Sequence, residues 1–341
     1  MNARLVLTAI ALSAVCSGCA IDLDAQVATA VGGFERTLQV TAGPLDDARG
    51  ALSDRRAGVD LDVQTGSGSI TIRRGTDTEV RVVAQIRAQR GFWNNRSAEE
   101  RVRALETNPP IVQNGNSITL GEIEDRELRR NVSISYDVTV PMNTRVRSRS
   151  GSGRVHIASV QGPVEARTGS GQIMIGQIAG TVTAETGSGS IEVLGAGGGL
   201  SARTGSGSVE GRDIAGTVAA HTGSGRIRVA YAGPGDGDFS TGSGGISVMG
   251  LRGQMRAHAG SGSISVEGQP AGDWNIDSGS GGISLRLPPD AAFDLVARSS
   301  SGGIHTNHPI QAQGARCRGT GCRDVSAGAG HGSTSRPARV L

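Results

Sequence analysis

Lysine does not occur in this chain of 341 residues, so all 34 of its lysine-plus-arginine side chains are arginines. They are scattered among 31 carboxylates without forming a stripe, and the formal charge is only +3. This excludes the basic patch that a nucleic-acid partner requires. Aromatic residues make up 2% of the chain. A wide globular core built on buried rings is therefore excluded as well. Cysteine is limited to four residues, and the apolar run at residues 5–15 is too short to cross a bilayer as a helix.

What the chain has in quantity is glycine, 54 residues of it, and the glycines are periodic. Gly-Ser-Gly begins at Gly151, Gly169, Gly187, Gly205, Gly223, Gly242, Gly260 and Gly279, in steps of 18, 18, 18, 18, 19, 18 and 19, with an earlier copy at Gly66. A period of this size marks a solenoid, in which each coil buries its apolar face only by stacking on its neighbours. Ahead of each motif, pairs such as Val164 and Ala166, Val218 and Ala220, or Trp274 and Ile276 alternate with polar residues. Behind it stand pairs such as Ile173 and Ile175, Ile227 and Val229, or Ile283 and Leu285. Two half-buried strands are thus written into every coil.

Gly-Ser-Gly is expected to be the first corner, where glycine supplies backbone angles that other residues reach only with strain. The second corner has an apolar plug followed by glycine, as in Val160 and Gly162, Ile214 and Gly216, or Leu251 and Gly253. In the 19-residue coils that glycine comes one place late, at Gly235 and Gly272, so the extra residue belongs to this corner. The expected fold class is all-β: a single parallel β-solenoid over residues 59–310 with two-strand coils of 18 or 19 residues. An insertion at about residues 74–145 is expected to add longer coils, a cap and a short helix opened by Ser97-Ala98-Glu99-Glu100 and stopped before Pro109.

The N-terminus reads as an export signal, with Arg4 ahead of the apolar run. Its end, Cys16-Ser17-Gly18-Cys19, resembles the bacterial lipobox. That resemblance implies removal of residues 1–18 and lipidation of Cys19, which would attach the chain to a membrane. Ala20 in the next position resembles the outer-membrane sorting class of Gram-negative lipoproteins, and simple cleavage after Ala20 is the alternative. Residues 19–58 are then expected to tether and cap the solenoid, and residues 311–341 to form a polar, partly disordered tail. Cys317 and Cys322 close a short loop and read as a disulfide in an oxidising compartment. Together with His305 and His308 they are also the ligand types of a zinc site.

The export signal, the Tyr-x-Val-x-Val-Pro segment at residues 136–141 and the Thr-Gly-Ser-Gly coils together resemble the bacterial putative-adhesin β-solenoid family, a domain of unknown function. The likeness covers roughly residues 34–310. It implies a surface or periplasmic solenoid without established catalysis.

The residues themselves agree with a non-enzyme. A serine repeated in every coil (Ser170, Ser188, Ser206, Ser224, Ser243) is a structural feature, since a nucleophile needs a base and its orienting partner at one place. The acidic residues Asp236, Asp238, Asp273 and Asp277 read as turn residues. His221 and His258 stand two rungs apart, about 10 Å, too far to share a metal. No catalytic group, metal or cofactor is called for. The candidate binding face consists of Ser247, Ser265 and Ser284 in one column with Ser263 beside it. The expected function is a lipid-anchored envelope protein acting as adhesin or scaffold toward an envelope glycan or protein. The alternative is a glycan-binding or glycan-cleaving β-helix.

Overall fold

The computed structural model describes residues 21–30, 33–42, 58–75, 79–89, 95–121, 123, 132–289, 291, 293–299, 311–312, 323–328 and 338–340. Residues 1–18, read above as an export signal, and Cys19, His305, His308, Cys317 and Cys322 lie outside them. Two compact units, Met1–Ala179 and Gly180–Leu341, divide the chain. Both carry parallel β-solenoid coils, and the helix among the described residues is Asn95–Thr107.

In the second unit, one column of strands runs in parallel register as Val182, Leu200, Val218, Gly237, Met255 and Trp274. The other runs as Ile191, Val209, Ile227, Ile246, Ile264 and Ile283. The offset between neighbouring rungs lengthens by one residue in the stretches containing Gly235 and Gly272, as the spacing predicts. The inward columns are fully apolar except at one place. The plugs Ile214 and Leu251 are completely buried. Phe239 occupies a position where its neighbours Ala220 and Ala257 are small. Room for its ring comes from Gly237, where an added Cβ would lie 2.4 Å from it.

The exception in the core is the residue directly before each Gly-Ser-Gly. Thr186, Thr204, Thr222 and Thr241 are buried. Each of the last three donates its hydroxyl to the glycine carbonyl of the preceding coil, Gly189, Gly207 and Gly225, at 2.9, 2.9 and 3.0 Å. The same oxygen accepts the N–H of the glycine three residues on, as Thr222 does from Gly225 at 3.0 Å. Ser278 makes both bonds in the last coil, to Gly262 and from Gly281. One side chain therefore closes its own turn and ties that turn to the next rung. Only Ala259 breaks the column among the described coils of this unit.

This geometry corrects the expected reason for the glycines. The glycines with positive φ lie elsewhere, and none is in a Gly-Ser-Gly corner. What the corner demands is close approach: a Cβ on Gly207 would sit 1.8 Å from the carbonyl oxygen of Gly189, and one on Gly225 equally close to that of Gly207. The left-handed residue is in the second corner, directly before the plug: Asp213, Gly195 and Gly250 in this unit, Ser159 and Gln177 in the first.

In the first unit, Val59–Thr65, Thr144–Ser150 and Val164–Thr168 stack in parallel, as do Ile70–Arg74, Val155–Ala158 and Ile173–Ile178. The coil at Gly66 thus packs directly on the coil at Gly151, although the whole insertion lies between them in the chain. The insertion adds a rung of its own to this end of the stack. Its strands Ser117–Leu120 and Val132–Val140 stack on the far side of the Gly66 coil, Leu61 against Ile118 and Ile70 against Tyr136. Beyond Val132–Val140 the sheet turns antiparallel, through Val80–Gln89 and Gly33–Ala42 to Ile21–Ala30. The stretch expected to be tether and cap therefore contains two sheet strands. The helix begins at Asn95, so Ser97 lies within its first turn rather than ahead of it. Val102 and Leu105, three apart, are buried where the helix meets Val80–Gln89 and Gly33–Ala42.

The corner sets the stability of the coils. Gly207→Ala is expected to lose about 3 kcal/mol because backbone, not a flexible side chain, stands in the way. Gly233→Ala, whose Cβ meets nothing within 4 Å, is the control and changes stability by less than about 0.5 kcal/mol. Thr222→Val strands a buried N–H and a buried C=O and costs about 2 kcal/mol, whereas Ala259→Thr restores the missing hydroxyl and gains about 1 kcal/mol. Urea denaturation of the chain from residue 20 onward reads all four.

Candidate functional site

The outward positions of the second unit carry the residues that could act. Ser247, Ser265 and Ser284 align in register on consecutive rungs, about 4.8 Å apart. Ser263, Ser265 and Ser284 are exposed and Ser247 is half-buried. The structure thus brings all four predicted serines to one face. The same column continues through Arg228, Glu210 and Glu192, so the serine stretch is the uncharged end of a charged stripe. Beside it Met249 is exposed, and Arg286 pairs with Glu267 at 3.3 Å.

The two hydroxyl types of Thr-Gly-Ser-Gly divide between interior and surface. The threonines are held in the corner bonds and are unavailable to a ligand. Ser188, Ser206, Ser224 and Ser243 are exposed along the corner edge. Corner bonding therefore explains the threonines and leaves the serines free of that duty.

On the first-strand face, Glu185, Arg203, His221, Ser240, His258 and Asp277 form one outward column. His221 and His258 flank Ser240 two rungs apart, as the period predicts. The His258 Nδ1 lies 2.9 Å from the Asp277 carboxylate, with both side chains more than half exposed. Sequence reasoning missed this contact, although both residues stand two places before their glycine. Among the described residues no hydrogen bond joins Ser240 to His258, so the alignment lacks the nucleophile-to-base contact of a catalytic triad.

Of the acidic residues, Asp236 does structural work. The Asp236 carboxylate accepts the N–H of Gln254 at 2.8 Å, and its carbonyl accepts the Tyr231 hydroxyl at 2.8 Å. Burial first, and then the negative charge of Asp236, raise the Tyr231 phenol far above its usual value, so it stays a donor. Asp236 thereby braces the corner that holds the extra residue. Asp238 stands opposite Arg256. Among the described residues, no three His, Cys, Asp or Glu side chains gather closely enough to hold a metal.

No curated protein sequence matches the chain. Among solved structures, it is similar to a putative adhesin from Bacteroides fragilis, with 15% identity over 76% of this chain and 98% of that one, at a TM-score of 0.35. Residues 196–323, within the second unit, match the family model described as Toastrack DUF4097. That match makes the coils of this stretch similar to the Toastrack domain.

Proposed function

We propose that this chain is an exported lipoprotein, anchored through Cys19, whose coils present a binding surface in the cell envelope as an adhesin or scaffold. The observation that carries this reading is the rung-by-rung alignment of outward side chains in the second unit, above all Ser247, Ser265 and Ser284. Groups that would otherwise suggest chemistry have structural duties: the threonines close corners and Asp236 braces one. Affinity would arise from many contacts, each worth about 1 kcal/mol, made by a ladder that is already ordered before it binds. A repeating polymer suits such a ladder, because every added contact is intramolecular once the first has formed. An envelope glycan is therefore the favoured ligand, with a protein partner as the other occupant of the same role.

The test is binding of residues 20–341 to an array of envelope glycans and peptidoglycan fragments, with release of reducing ends assayed in the same wells. Binding without release is expected, weakened about tenfold by Ser265→Arg, which projects a charged side chain over the middle of the serine column. Release of reducing ends would overturn the non-catalytic reading. For the anchor, Cys19→Ala is expected to move the protein out of the membrane fraction and to remove the mass of the acyl chains.

A further inference from the structure

The outermost strand of the first unit's sheet begins two residues after the residue proposed to carry lipid. Ile21 already pairs with Ala42, and the pairing continues without interruption to Ala30 opposite Gly33. Gly33–Ala42 pairs along its whole length with Val80–Gln89, which in turn pairs with Val132–Val140 and so joins the coils. No stalk is left between Cys19 and the folded body: Cys19 and Ile21 are two Cα steps apart, at most about 7 Å. The strand Ile21–Ala30 has one partner, and its other edge pairs with no strand among the described residues.

We propose that this antiparallel end of the first unit lies against the membrane that receives the acyl chains of Cys19, with Ile21–Ala30 as the membrane-apposed edge. The occupant is the lipid headgroup layer. The short chain between anchor and first strand holds Ile21 within about 7 Å of the lipidated residue, and in this arrangement the unpaired edge of its strand lies along the headgroups. An edge strand set against a headgroup layer is also kept from pairing with another chain. Strand order in this unit then gives distance from the membrane. Ile21–Ala30, Gly33–Ala42, Val80–Gln89, Val132–Val140, Ile70–Arg74 and Val155–Ala158 are successive neighbours. Five spacings place His156 about 24 Å farther along the sheet than the edge strand. The inference rests on lipidation of Cys19, and it goes beyond that reading by fixing which end of the unit faces the bilayer.

The experiment uses the full lipidated chain, with Cys317 and Cys322 replaced by serine and one fluorophore attached through Thr29→Cys or His156→Cys. Vesicles of phosphatidylethanolamine and phosphatidylglycerol carry a nitroxide-headgroup lipid, a quencher that acts at close range. Quenching about fivefold stronger at residue 29 than at residue 156 is expected from their separation along the sheet. Equal quenching at both positions overturns the orientation. A flexible Gly-Ser segment of about 20 residues inserted between Ala20 and Ile21 is expected to abolish the difference, because such a chain no longer holds the edge at the bilayer. A difference that survives the insertion shows that the anchor does not set the orientation. Failure of the lipid reading is separately visible: Cys19→Ala that still floats with vesicles sinks the anchor itself, whereas loss of flotation with equal quenching in the parent sinks only the orientation.

Discussion

The hydroxyl in front of Gly-Ser-Gly, missing only at Ala259 among the described coils of the second unit, is the interaction on which the coils depend. It is buried, it accepts a turn N–H and it donates to the carbonyl of the preceding coil, so it satisfies two backbone groups that the corner would otherwise strand. Those two groups come within reach of one oxygen only because the neighbouring corners are almost in contact. That contact in turn excludes any Cβ at the following glycine. Threonine or serine and glycine are therefore a matched pair: the first supplies the bond and the second supplies the space. The same arrangement recurs in the first unit, where Ser150 and Thr168 bond Gly68 and Gly153.

This constraint decides which parts of the surface remain free for function. With the corners closed internally, the outward strand positions tolerate change from rung to rung. One column accordingly runs from Glu192 and Glu210 through Arg228 to three serines without disturbing the register. Ion pairs on these faces, such as Arg212 with Glu210, sit in water, where screening leaves them little effect on stability. They decorate the ladder more than they hold it. Specificity for a ligand can thus evolve on the faces while the corners stay fixed, which is the physical basis for reading the protein as a display scaffold.

The first unit shows how such a stack is ended. A parallel coil leaves a row of backbone groups unpaired, and here the row is taken up by strands of the insertion, after which the sheet changes to antiparallel pairing. Antiparallel neighbours need only short connections. Chain from before and after the Gly66 coil can therefore be folded back onto one end, with the buried face of Val80–Gln89 covered by Val102 and Leu105 of the helix.

The sequence by itself determined the solenoid class, the two strands per coil, the position of the extra residues at Gly235 and Gly272, and the serines that share a face. Each of these is set by local spacing, which the recurrence of Gly-Ser-Gly displays directly. Only the tertiary structure decided why the corner glycines are required, since the clash is with a carbonyl one full coil earlier in the chain and not with the glycine's own backbone. It alone separated buried threonines from exposed serines, and it alone placed Ile21–Ala30 at the edge of a sheet that continues from Gly33–Ala42 into the distant stretches Val80–Gln89 and Val132–Val140. Those outcomes depend on which segments become neighbours, and antiparallel pairing between stretches as far apart as Val80–Gln89 and Val132–Val140 leaves no period in the chain to be read.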